Sequence, residues 1–82
     1  MIKDAIKQNN LKQTRIELGL TLTALSKLAN VSSKIISQTE RCLVNPTQVT
    51  KNKIVIGLNE GAGPSGKQWK YEEIFPHDAD AD

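Results

Sequence analysis

Between Gly19 and Arg41 the chain carries two short amphipathic stripes and only three residues in which to turn between them. Thr21 offers an N-cap, and Leu25, Leu28 and Ala29 recur at i, i+3 and i+4 without an intervening Gly or Pro, which predicts a helix over about 22–29. In the break Asn30-Val31-Ser32, Asn30 can take the left-handed conformation and Ser32 can cap a second helix. That second helix, about 33–41, buries mainly Ile36 and leaves Ser33, Lys34, Ser37 and Gln38 outside. Helices joined by so short a turn must pack directly against each other.

The flanking segments extend this pattern. Asn10 is a candidate N-cap, Leu11 and Leu18 share one face at i and i+7, and Gly19 is a stop, which predicts a helix over 11–18. Pro46 lies in a loop from Cys42 to Thr47. Either Thr47 or Thr50 could cap the segment beyond it, with Thr50 favoured and a helix over 51–60, where Ile54 and Leu58 flank Gly57. A rival reading competes here: Lys53 to Leu58 is a β-branched run, Asn59 to Gly66 is turn-rich and Trp69-Lys70-Tyr71 alternates, so a β-hairpin within 53–75 fits the same residues. Gly61 to Gly66 is a surface loop on either reading, and Trp69, Ile74 and Phe75 are expected to fold back over the core. Residues 1–10 read as an N-terminal arm, 11–76 as the folded domain and 77–82 as a disordered acidic tail.

Composition narrows the class. At 82 residues with a single Cys, the chain makes one small domain that buries only about 60% of the surface of its unfolded form. Cys42 has no intramolecular disulfide partner, which favours a reducing compartment. One His and one Cys without ligand spacing give no zinc site, and no cofactor is expected. Apolar runs stop at three residues, such as Ile54-Val55-Ile56, so neither a membrane span nor a signal peptide is expected and the cytoplasm is the expected location. The net charge of +2 is uneven: residues 1–60 hold nine basic and four acidic side chains, residues 61–82 two and five. A basic front favours a polyanionic partner, against the plainer reading of a solvated Lys-rich face.

Two short helices, a tight turn and an exposed polar and basic second helix make the outline of a helix-turn-helix. At residue level, Gly19 to Arg41 closely resembles the Cro and lambda-repressor type helix-turn-helix family, also called the XRE family. The resemblance lies in Gly19-Leu20-Thr21 before helix two, Leu25 and Val31 in the core, Ser32 as cap, Ile36 on the inner face, Glu40-Arg41 closing helix three, and Asn45-Pro46-Thr47 after it. It covers about residues 11–58, and Tyr71 to Pro76 is similar to a short closing helix of many members. Several positions differ from the family pattern. Ser26 replaces a usual Ala, Asn30 a common Gly in the turn, Cys42 the Gly that usually ends helix three, and Leu22 a Gln that often contacts DNA. Gln48, Lys51 and Asn52 are polar where apolar residues are usual, so a shifted or shortened helix four is expected.

The resemblance implies an all-α, compact four- to five-helix lambda-repressor-like domain that binds double-stranded DNA. It implies that Ser33, Lys34, Ser37 and Gln38 face bases, for which Gln suits adenine and Lys suits guanine. It implies that Thr21, Thr23, Arg41, Asn45, Thr47 and Lys51 grip phosphate, and that Arg15 pairs with Glu40 to set the angle of helix three. The corresponding plain reading of each is a solvated polar side chain. Catalysis has little support, because His77 beside Asp78 has no placed nucleophile or second base. Gly63 to Lys67 resembles a phosphate loop only superficially, as no strand precedes it and no Gly-Lys-Ser or Gly-Lys-Thr ends it. The expectation is a transcriptional regulator of a bacterium, phage or mobile element, forming a homodimer either free or only on DNA. The alternatives are the antitoxin of a toxin-antitoxin pair and a protein-interaction module that has lost DNA binding.

Overall fold

The computed structural model describes residues 8–64 and 66–76, and over them the chain is all-α. The elements are α1 (Leu11–Glu17), α2 (Leu22–Ala29), α3 (Ser33–Glu40), α4 (Gln48–Ala62) and α5 (Tyr71–Ile74). Of the expected arm and acidic tail, residues 1–7 and 77–82 lie outside the described residues. No strand occurs among the described residues, so the β-hairpin reading of 53–75 gives way to helix. Along α4, Lys51, Ile54, Val55 and Leu58 are buried at i, i+3, i+4 and i+7. Burying that helical stripe outweighs the strand preference of Ile54-Val55-Ile56, since such preferences span only about 1 kcal/mol in total.

The helix ends show which local signals were used. Thr21 Oγ1 accepts the Ala24 N–H at 3.0 Å and Ser32 Oγ accepts the Ile35 N–H at 3.1 Å, as N-caps do. Asn30 ends α2 at φ +57°. Helix α1 stops at Glu17 rather than at Leu18, with Gly19 left-handed at φ +73° and the Leu20 N–H bonded to the Arg15 carbonyl. Helix α3 stops at Glu40, one residue short of the expected bound, in the same way. Cys42 is left-handed at φ +60°, its N–H reaches the Thr39 carbonyl, and the Leu43 N–H reaches the Gln38 carbonyl at 2.8 Å. The helix thus keeps a Gly-type ending with a side chain in place, at a cost of roughly 1 kcal/mol.

Two expected caps are reassigned. Thr47, not Thr50, caps α4, accepting the Thr50 N–H at 3.3 Å, and α4 is longer than expected rather than shortened. The helix starts three residues earlier than expected, and Lys51 lies in its buried stripe. Asn10 is the N-cap residue of α1 but makes no capping bond with its side chain. Asn9 Oδ1 takes the Leu11 N–H instead, while Asn10 Nδ2 donates to the Glu73 carbonyl and Asn9 Nδ2 to the Thr39 carbonyl, both at 2.9 Å. The residues just before α1 are thereby tied to α3 and α5.

Leu11, Leu25, Ile36, Ile54, Leu58 and Ile74 are fully buried in one core drawn from all five helices. The broadest packing is α2 on α4. The segment after α4 returns across this core: Asn59 Oδ1 accepts the Trp69 N–H and Asn59 Nδ2 donates to the Trp69 carbonyl, a clamp on the backbone that leads into α5. Ile74 and Phe75 are buried, and Trp69 packs half-buried against the core. At the start of α5 the Lys70 N–H donates to Glu73 Oε1 at 2.8 Å. This backbone bond is the largest cause that holds the Glu73 carboxyl below the usual glutamate range; partial burial opposes it, and Lys67 at 3.3 Å supports it. A carboxyl with a lowered folded pKa stabilises the fold above the ordinary glutamate pKa and loses that contribution as pH falls through the lowered value. Acid titration followed by Trp69 fluorescence should therefore show a transition below the ordinary glutamate range that Glu73→Gln removes.

Candidate nucleic-acid interface

Helix α3 buries Ile36 and Thr39 inward. At 3.6 residues per turn, Ser33, Lys34, Ser37, Gln38 and Arg41 fall within an arc of about 140° on the opposite side. Ser33, Lys34 and Arg41 are exposed, and Ser37 and Gln38 are half-buried. The face offers hydroxyls, one amide and two cations at helical spacing, which is a set of donors and acceptors able to meet base edges and phosphate oxygens.

Three local devices aim this face. The left-handed Asn30 reverses the chain after α2, and the Val31 N–H closes onto the Ser26 carbonyl at 3.2 Å. The Ser32 cap then fixes the start of α3. At its other end Glu40 is held by Arg15 of α1: Nε donates to Oε2 at 2.5 Å and Nη2 to Oε1 at 3.2 Å. Arg15 Nη1 also donates to the Leu20 carbonyl at 2.8 Å, so one planar guanidinium joins α1, the chain entering α2, and the end of α3. The pair is nearly dry, with side-chain exposures of 12% and 4%.

The residues expected at phosphates fall into three groups. Thr23, Arg41 and Asn45 are exposed. Thr21 and Thr47 are also exposed, and their hydroxyl oxygens serve as the caps of α2 and α4. Thr47 donates its own proton to Thr50 Oγ1 at 3.1 Å. Their helix starts present backbone N–H groups, which suit an anion without a particular side chain. Lys51 stands apart. It is only 6% exposed, with Nζ 5.3 Å from the centre of the Phe75 ring. It is not a surface cation but part of the packing between α4 and the Phe75 ring at the end of α5. Lys51→Ala should lower unfolding stability by about 1–2 kcal/mol through lost stem packing and cation-π contact. Denaturant titration checks this, and Lys51→Met should recover most of the loss.

Leu22, at the first position of α2, is half-buried and packed on the core. Lys67, in the loop that resembled a phosphate loop, sits 4.0 Å over the Trp69 ring and 3.3 Å from Glu73, and it follows a helix rather than a strand. His77 and Asp78 lie outside the described residues. Sequence reasoning did not single out the Asn59 clamp or Asn9, because a half-buried Asn has no periodic signal. Val49 and Ile56, exposed on α4, carry only their spacing of seven as a sequence signal.

Among the described residues no group of three or more His, Cys, Asp or Glu is placed to hold a metal ion. No helix there is long and apolar enough to cross a membrane. Comparison of the chain with protein-family models, curated proteins and solved structures finds no match to any of them.

Proposed function

We propose that this chain binds double-stranded DNA sequence-specifically, as a small cytoplasmic transcriptional regulator of a bacterium, phage or mobile element, with α3 as its reading helix. The observation that carries the reading is the polar face of α3, set by a three-residue turn on one side and by the Arg15–Glu40 fork on the other. The resemblance of Gly19 to Arg41 to the Cro and lambda-repressor type family, and the basic balance of residues 1–60, support it. Ser33, Lys34, Ser37 and Gln38 would meet base edges, while Thr21, Thr23, Arg41, Asn45 and Thr47 would hold the backbone through side chains and helix starts. One module of this size covers few base pairs, so two copies on paired half-sites about one turn apart complete the proposal.

Selection from a randomised duplex pool at moderate salt tests it, and recovery of no preferred sequence would sink it. Gln38→Ala should cost about 1–3 kcal/mol on the selected site, relax preference at one or two positions, and leave nonspecific affinity nearly unchanged. Equal weakening on preferred and scrambled duplexes would remove α3 from the reading role. A second reading, a protein-interaction module without DNA affinity, draws on Leu22, whose side chain is packed on the core at the start of α2 rather than offering an amide to a duplex. Salt-independent retention on a protein partner with no duplex binding would favour it.

A further inference from the structure

Helix α4 buries one stripe against α2 and carries a second apolar line on its outer side. Val49 and Ile56 are 64% and 57% exposed and seven residues apart, and Gly63 follows after seven more. Lys53 and Glu60, again seven apart, are exposed along one flank, and neither forms an ion pair among the described residues. Beside Ile56 lies a shallow groove of about 540 Å³, lined by Ile56, Asn59, Glu60, Gly63, Pro64 and Gln68. A helix with apolar lines on two opposite sides needs a partner on each, and the described residues supply only one of these.

We propose that a second copy of this chain covers the outer line, α4 against α4, antiparallel about a two-fold axis between positions 56 and 57. The charges choose this arrangement. About that axis Lys53 of each copy meets Glu60 of the other, twice over, and Val49 of each copy faces the groove beside Pro64. A parallel pairing, with its two-fold along the helices, would carry the Lys53 and Glu60 flanks of the two copies to opposite sides of the seam, where neither charge meets its complement. The contact is isologous, as a two-fold requires, since the same patch supplies both knob and groove. A single helix face falls below the roughly 1,200 Å² of total area that stable interfaces bury, so the free dimer is weak and two adjacent half-sites would strengthen it by raising effective concentration. The surface lies on α4, apart from α3, and does not depend on the DNA reading.

Sedimentation equilibrium of the full chain without DNA, from about 10 μM to about 1 mM, decides the matter. The expected result is a reversible, concentration-dependent dimer. Ile56→Lys should be monomeric throughout with an unchanged melting temperature, because Ile56 contributes little to the monomer core. Lys53→Glu and Glu60→Lys should each weaken the dimer by about tenfold. An equimolar mixture of these two variants should recover it, since every facing pair is then of opposite charge. A wild-type chain that stays monomeric, a dimer that Ile56→Lys leaves intact, or a mixture no tighter than its components would overturn the proposal.

Discussion

Gly57→Leu is expected to abolish the fold. Gly57 lies in the middle of α4 where that helix crosses α2, and a Cβ there would stand 2.7 Å from the Cβ of Ala29 and 2.8 Å from its Cα and N. Two of those three atoms are backbone, so no side-chain rotation relieves the contact and the helices must move apart. Separation loosens Leu25, Ala29, Ile54 and Leu58 together, all of them buried where α2 meets α4. A domain of 82 residues holds only about 4–12 kcal/mol of net stability, which a leucine forced into this crossing would exhaust. Gly57→Ala separates the two competing effects. Helix propensity alone would favour Ala by about 1 kcal/mol, whereas overpacking costs about 1–3 kcal/mol, so a net loss should appear in a denaturant titration. Adding Ala29→Gly should rescue it only in part, because the backbone contacts remain. A Gly57→Ala chain more stable than wild type would mean that the crossing is wider than described.

Removing one member of the Arg15–Glu40 pair should cost about 3–5 kcal/mol, far more than a solvent-exposed ion pair, because the remaining charge is left in a nearly dry site. In Arg15→Ala, Glu40 loses both guanidinium bonds and the Leu20 carbonyl loses its donor. Arg15→Lys should recover a minor part, since one ammonium cannot fork a carboxylate and reach the Leu20 carbonyl together. Replacing both partners with apolar residues of similar size, Arg15→Met with Glu40→Leu, should be markedly less damaging than the sum of the two singles. A double-mutant cycle in urea measures this coupling, and single losses under about 1 kcal/mol would place the pair in the solvated class. If the DNA reading is right, the double variant should also bind its selected site worse than its stability suggests, because the charged fork no longer fixes the end of α3 to α1.

The polar face of α3 was legible in the sequence because it depends on spacing alone. Ser33, Lys34, Ser37 and Gln38 share a side of any helix that buries Ile36, and no distant residue is needed to place them there. The groups expected at phosphates were less legible. For Thr21 and Thr47 a cap is a local matter, but whether a lysine lies inside or outside depends on what returns to cover it. Lys51 is covered by Phe75, 24 residues away in the chain, and nothing near Lys51 announces that return.

The same division runs through the fold. Local residues were enough to set the bounds of α2, the left-handed turn at Asn30 and the caps at Thr21 and Ser32, since each is an interaction among residues at most four apart. They also marked Gly19 as a stop. Long-range packing chose between helix and strand for Lys53 to Leu58, where local preference and helical spacing pointed in different directions and burial against α2 selected the helix. The choice between Thr47 and Thr50 was not legible either: both can cap, and Thr47 does, which adds a turn ahead of the stripe of Lys51, Ile54, Val55 and Leu58. Asn10 looked like a cap, and its side chain instead donates to the Glu73 carbonyl across the fold, 63 residues away, while Asn9 accepts the Leu11 N–H. Short-range hydrogen bonds write themselves into sequence; the choice among equally good ones is made by which arrangement buries the most apolar surface.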